Sequence, residues 1–359
     1  MPVGATVRAY RPGDESALVA LWNAALPTDP LDVVTLAARV LADPNFEPSS
    51  LLVLEGPCPA GVCAGMRSAA PTGRAAADVP AAMGAGAGPG TPLLGFVLAL
   101  TRRVPLEPGE GLETDCGWIT AFAVHPAARR QGAGRQLLAE ACASLTRRGC
   151  TRVEVSPYAP GYFWPGVDQA AHAGAVPFLR ALGFTALYEA VAMERSLSAY
   201  RPPDEAIAAR ARLEGEGVRF GPLTPDLVIP LIAWNGRVFH ADWARAVRAA
   251  VARRLPWSRT LVARAADGGI LGFAQYGCYD RAADRFGPFG VDPAARGRGI
   301  GRVLLHECLQ GMQRDDLRCA WFLWTGERSP AGALYRTAGF HVARRFLLFR
   351  RSLDVPVVG

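Results

Sequence analysis

Two stretches of the 359-residue chain set arginine and glycine at a spacing suited to holding a phosphate. Each reads Arg-x-x-Gly-x-Gly: Arg129, Gly132 and Gly134 in one, Arg296, Gly299 and Gly301 in the other. Glycines let the backbone come close to a pyrophosphate, and the free N–H groups of the following helix's first turn point at the anion, aided by its dipole. Arg130, Gln131, Ala133 and Arg135 complete the first loop; Gly297, Arg298, Ile300 and Arg302 complete the second. Arg130, Arg135, Arg298 and Arg302 can add charge-assisted contacts to phosphate oxygens. An apolar strand runs into each loop through a proline and an amphipathic helix leaves it, so the motif and its context recur together.

The elements that must position these loops also repeat. AVHPAARRQGAGRQLL at 123–138 reappears as GVDPAARGRGIGRVLL at 290–305, and PFLRALGF at 177–184 as ALYRTAGF at 333–340. Each half reads as a short strand, two helices, three strands, the glycine loop with its helix, a buried strand, another helix and a closing strand. That order predicts two α/β units, each a mixed sheet with helices on its faces. We place the units at 1–200 and 217–359, joined by a linker at 201–216 that Pro202 and Pro203 open. A Gly-, Ala- and Pro-rich insertion, 57–92, interrupts the first unit. Its alternating glycines imitate a dinucleotide loop, but no strand feeds them and no helix follows, which leaves a linker.

Half the residues are apolar and a fifth charged, a globular composition. The net charge of +7 comes from arginine alone, since the chain has no lysine, and favours an anionic ligand. The arginines recur singly or in pairs rather than as a basic stripe with interleaved aromatics, which argues against a nucleic-acid surface. No apolar run approaches a membrane span and the first residues lack a secretory pattern, so we expect a cytoplasmic protein. Eight scattered cysteines without CxxC pairs, and five histidines without ligand spacing, predict free thiols and no metal site.

The pattern V-x-P-x-x-R-x-x-G-x-G, with a later helix ending in x-G-F, resembles the acetyl-CoA-binding core of the GNAT superfamily, and does so in both halves. The resemblance implies two tandem GNAT domains, each a mixed, mostly antiparallel sheet flanked by helices. It implies acetyl-CoA as acyl donor, a small primary amine as acceptor, and direct attack in a ternary complex without a metal. The strands ending at Val124 and Val291 would splay from their neighbours, and their backbone would pair with the pantetheine arm and stabilise the developing oxyanion. Tyr335 occupies the place from which these enzymes protonate the leaving thiolate. Phe178 is read as its first-half match and cannot donate, so the second half is the expected catalyst. The first half would then support the fold or border the acceptor cleft. A non-catalytic acyl-CoA-binding sensor is the alternative. The tandem arrangement with one weakened half is similar to that of the mycothiol synthases, and a homodimer stays open.

No general base announces itself. Asp280, Asp284 and Glu327 in the second half, and Glu113, Asp115 and Glu154 in the first, border the expected sites, yet carboxylates of this kind are mostly solvated. The aromatic segment 156–172 can wall an acceptor pocket, plug the first cleft or pack on the second unit. Trp234, Asn235, Phe239, His240 and Trp243 fall where acceptor sites of the superfamily are shaped.

Overall fold

The computed structural model describes residues 4–57, 92–279 and 282–353. The expected insertion therefore lies, but for its ends, outside the described residues, as does Asp280. The first half comprises β1 (Thr6–Ala9), α1 (Glu15–Ala25), α2 (Val33–Leu36), β2 (Leu51–Glu55), β3 (Leu93–Thr101), β4 (Cys116–Val124), α3 (Ala133–Arg147), β5 (Arg152–Val155), β6 (Val167–Asp168), α4 (Ala175–Ala181) and β7 (Thr185–Ser196). The linker forms α5 (Asp204–Gly215). The second half repeats the order with β8 (Arg219–Pro222), α6 (Val228–Val238), α7 (Ala241–Ala252), β9 (Thr260–Arg264), β10 (Ile270–Tyr276), β11 (Phe286–Val291), α8 (Ile300–Arg314), β12 (Cys319–Thr325), α9 (Pro330–Thr337) and β13 (His341–Ser352).

In each half the first four strands form an antiparallel meander. β4 pairs with the start of β5 in parallel through Cys116–Arg152, Gly117–Val153 and Trp118–Glu154. The closing strands change places: β13 of the second half pairs with β5 of the first, Arg350 facing Glu154, while β7 of the first pairs with β12 of the second, Glu194 facing Trp321. β7 and β13 also pair with each other, so one sheet runs β1-β2-β3-β4-β5-β13-β7-β12, with a separate four-stranded sheet β11-β10-β9-β8.

Side chains follow the exchange. Val191 and Met193 of β7 are buried in the core beneath α8 with Leu304, Leu305 and Leu309, whereas Phe349 and Leu353 of the last strand region are buried beneath α3 with Leu137 and Leu145. The opposite faces pack under α1 around Trp22 and Phe96, and under α6 and α7 around Trp234 and Phe273. These layers follow from continuous apolar strands, β3 being buried at every position, and from the apolar stripes of the helices.

Candidate active site

Both glycine loops enter their helices in the left-handed conformation that glycine tolerates, Gly132 at φ 86° and Gly299 at φ 96°, each as the N-cap. Ala133 and Ile300 bury their side chains and anchor the first turn, leaving its backbone donors outward. A Cβ on Gly301 would stand 3.3 Å from Val291 Cγ2 and 3.4 Å from Phe289, so glycine there seats the helix on the strand. At one of the positions where the loops differ, Arg130 takes φ 64° and its counterpart Gly297 φ 78°, both left-handed. The leading arginines bind their own loops. Arg129 donates through Nε to the Val124 carbonyl at 3.0 Å and through Nη2 to the Ala25 carbonyl at 3.1 Å; Arg296 donates to the Val291 carbonyl at 3.2 Å. Arg130, Arg135, Arg298 and Arg302 are exposed around the helix starts.

The linker helix reaches the second loop. Arg212 donates to the Arg298 carbonyl at 2.5 Å, and Glu216 pairs with both Arg212 and, at 2.9 Å, Arg298. These arginines hold the Glu216 carboxyl below its ordinary range.

Beside each loop the sheet opens. β11 and β12 meet only at a bridge between Arg285 and Trp321 among the described residues, and β4 and β5 part after Trp118. The Asp292 N–H bonds the Leu271 carbonyl in the neighbouring strand at 2.8 Å, so by strand alternation the Val291 and Phe289 N–H groups face the opening. His125 and Leu94 repeat this bond at 2.8 Å and turn Val124 and Phe122 the same way. Such an edge has free N–H groups that can pair with an extended chain of amides, and the glycine turn at each helix start is of the kind that receives phosphate.

Tyr335 lies on α9 in a ring of aromatics, its centroid 4.4 Å from Phe322 and 6.0 Å from Phe286 and Phe289. Burial pushes its phenol pKa upward, so the proton stays on at neutral pH. The ring also lines a cavity of about 520 Å³ between the halves. Its walls include Phe289 and Trp324 from the second half, Trp118 and Glu154 from the first, and Tyr188 and Arg350 from the exchanged strands. The repeats superimpose Leu179, not Phe178, on Tyr335: Phe178 packs 3.2 Å from the Cβ position of Gly134 as Leu334 packs near that of Gly301. The expected match was one residue out of register, and leucine is equally unable to donate a proton.

Among the expected carboxylates, Glu113 and Glu154 line the cavity. Arg350 holds Glu154 at 2.6 Å, Arg152 holds Asp115, and Arg345 holds Glu327 at 2.6 Å; Asp284 accepts from the Trp321 N–H through its backbone. His240 and Trp243 line the same cavity, whereas Trp234 and Asn235 are buried and Phe239 packs against Trp243 at 4.5 Å. His240 Nδ1 lies 2.8 Å from Asp242 Oδ1, and that carboxylate raises the imidazole pKa. The H-x-D spacing at the start of α7 was the available signal for this pair. Arg102, Arg285 and Trp118 were missed because each meets the cavity only through residues distant in sequence. The aromatic segment divides its work: Tyr158 and Phe163 are buried in the first half, Tyr162 stacks edge-on against Trp324 at 5.4 Å, and Trp164 lines a second cavity of about 450 Å³ against β12.

Among the described residues no group of His, Cys, Asp and Glu is arranged to hold a metal ion, and no helix is long and apolar enough to cross a membrane. The acetyltransferase (GNAT) family profile matches residues 85–184, and an acetyltransferase (GNAT) domain profile matches 256–342. A mycothiol acetyltransferase of Clavibacter michiganensis subsp. michiganensis is 28% identical over 268 residues, covering 72% of this chain and 80% of its own. The glucosamine N-acetyltransferase region of a fungal multi-domain beta-N-acetylglucosaminidase superimposes with a TM-score of 0.73 at 17% identity, covering 98% of this chain and 38% of that longer one. A tandem GNAT protein from the clavulanic acid biosynthesis pathway gives 0.59 at 15% identity over 98% of this chain and 99% of that one. The solved structures speak to the fold alone. With a profile match in each half and the sheet opening beside both glycine loops, the chain belongs to the GNAT N-acetyltransferases and carries two of their domains in tandem.

Proposed function

We propose that the second half is the catalytic centre of a cytoplasmic enzyme that moves the acetyl group of acetyl-CoA to a primary amine, and that the cavity between the halves receives the amine. The observation that carries this reading is the presence of Tyr335, Phe289 and Trp324 in one cavity with His240, beside the only one of the two strand openings whose helix bears a tyrosine at this place. Residues 296–302 would hold the pyrophosphate, with Arg298 and Arg302 on its oxygens, and the Val291 and Phe289 N–H groups would receive the pantetheine and thioester carbonyls. Acetyl-CoA supplies the activated acyl group. In the tautomer that points the Nδ1 proton at the Asp242 carboxylate, His240 offers Nε2 to the ammonium proton; the freed amine attacks the carbonyl carbon, and Tyr335 gives its proton to the departing thiolate.

The first half, with residues 129–135 in the same conformation but Leu179 in place of a tyrosine, binds the cofactor without turning it over or serves as wall. A thiol-bearing amine of the mycothiol type is one acceptor to assay, given the relatives. Calorimetric titration of acetyl-CoA into wild type, Gly132→Glu and Gly299→Glu, with CoA release to an amine measured on the same proteins, tests the reading. Loss of CoA-dependent transfer in Gly299→Glu alone supports it, whereas transfer that survives Gly299→Glu removes the second half from catalysis.

A further inference from the structure

Arg102, just past the end of β3, is 6% exposed and lines the interdomain cavity. Its guanidinium lies 5.2 Å from the Trp118 ring centroid and 4.9 Å from that of Tyr158, and Nη2 donates to the Ala159 carbonyl at 2.9 Å. No carboxylate of a described residue pairs with it. A guanidinium carries five N–H donors in a planar fork, and burying one without an anion is unfavourable until an anion arrives.

The seat beneath it is rigid. The Tyr158 hydroxyl donates to Asp43 at 2.9 Å and accepts from Asn45 Nδ2 at 2.7 Å, while Asn45 Oδ1 accepts the Arg103 and Val104 N–H groups at 2.6 and 2.8 Å. Both the ring and the chain that carries Arg102 are thereby fixed by one asparagine. The same cavity presents Glu113 and the His240–Asp242 pair, groups that receive an ammonium, and aromatic walls from Trp118, Tyr188 and Trp324.

We propose that the acceptor is an amino acid or short peptide, its carboxylate held by the Arg102 fork and its amine presented to His240, with an apolar side chain against the aromatic walls. A single −1 group matches one planar fork, and about 520 Å³ suits a molecule of this size. The proposal rests on the catalytic reading above and names its substrate class.

The test compares L-phenylalanine and L-leucyl-L-phenylalanine with their C-terminal amides. Binding is measured by calorimetry on the full chain saturated with CoA, where no turnover occurs, and transfer by CoA release from acetyl-CoA. The carboxylates are expected to bind on the order of 10- to 100-fold tighter than the amides, and R102M to erase the preference. R102K keeps the charge without the fork and decides the matter if R102M does not fold: a preference cut at least fivefold supports the assignment. Equal binding of acid and amide, no binding of either carboxylate, or a preference unchanged in the variants overturns it. Equal acetylation of acids and amides would sink the substrate class and leave the catalytic reading standing. Selective binding without transfer to any acceptor would do the reverse.

Discussion

Replacing Tyr335 by phenylalanine removes one oxygen from a ring that keeps its neighbours, Phe322 at 4.4 Å, Phe340 at 5.7 Å and Phe286 and Phe289 at 6.0 Å. The hydroxyl bonds no described residue, so no internal hydrogen bond is lost. The unfolding free energy should therefore change by less than about 1 kcal/mol. Catalysis should change far more: loss of a positioned acid lowers the rate by roughly 10²- to 10⁴-fold, or about 3–5 kcal/mol of barrier. Urea unfolding and CoA release, read with a thiol reagent at saturating amine, measure the two quantities on one preparation. A variant within about threefold of wild-type activity would refute the assignment as acid. A loss of activity accompanied by more than about 2 kcal/mol of destabilisation would make Tyr335 a packing residue instead.

Three further outcomes are expected. Because Asp242 raises the His240 pKa, kcat/KM should climb with pH through a value above that of free histidine; Asp242→Asn should move this limb to lower pH, and an unmoved limb removes His240 as base. Gly299→Ala forces a side chain onto φ 96° and should weaken acetyl-CoA binding by about tenfold, whereas Glu216→Gln, which frees Arg212 and Arg298, should tighten it by about threefold in calorimetry. His306, buried and bonded to the Tyr200 hydroxyl at 2.5 Å, has its pKa lowered to about 4, chiefly by burial. The unfolded chain takes that proton first, so stability present above pH 6.5 should fall by about 3 kcal/mol as pH drops toward 4. Parallel urea titrations should show the loss shrinking in His306→Gln.

Much of the site was legible because it is local. Proline, Arg-x-x-Gly-x-Gly and the following helix lie within one stretch, and Gly132 and Gly299 adopt the positive φ that their residue type permits. What could not be read was contact between distant segments. Nothing in the sequence of β7 or β13 says which fifth strand it pairs with, since each carries a buried apolar stretch able to pair with either. The cavity's makeup depends on that choice, and so the roles of Arg102, Glu154 and Arg350 stayed hidden. The Phe178 misalignment arose elsewhere: the repeat of 177–184 at 333–340 already sets Leu179 on Tyr335, but a one-residue slip on a short helix leaves its apolar character unchanged while turning a different side chain to the site.

The crossing of β7 and β13 ties the fate of the two copies together. A sheet that borrows its last strand from the neighbouring copy cannot be completed by either copy alone, so a truncated half would leave the edges of β5 or β12 bare and prone to self-association. The chain thus resembles a domain-swapped dimer whose protomers have been fused, with the partner strand held at a high local concentration by the linker. Such a molecule should melt in a single transition. Neither copy can be dispensed with, because the closing strand of each is part of the other's core.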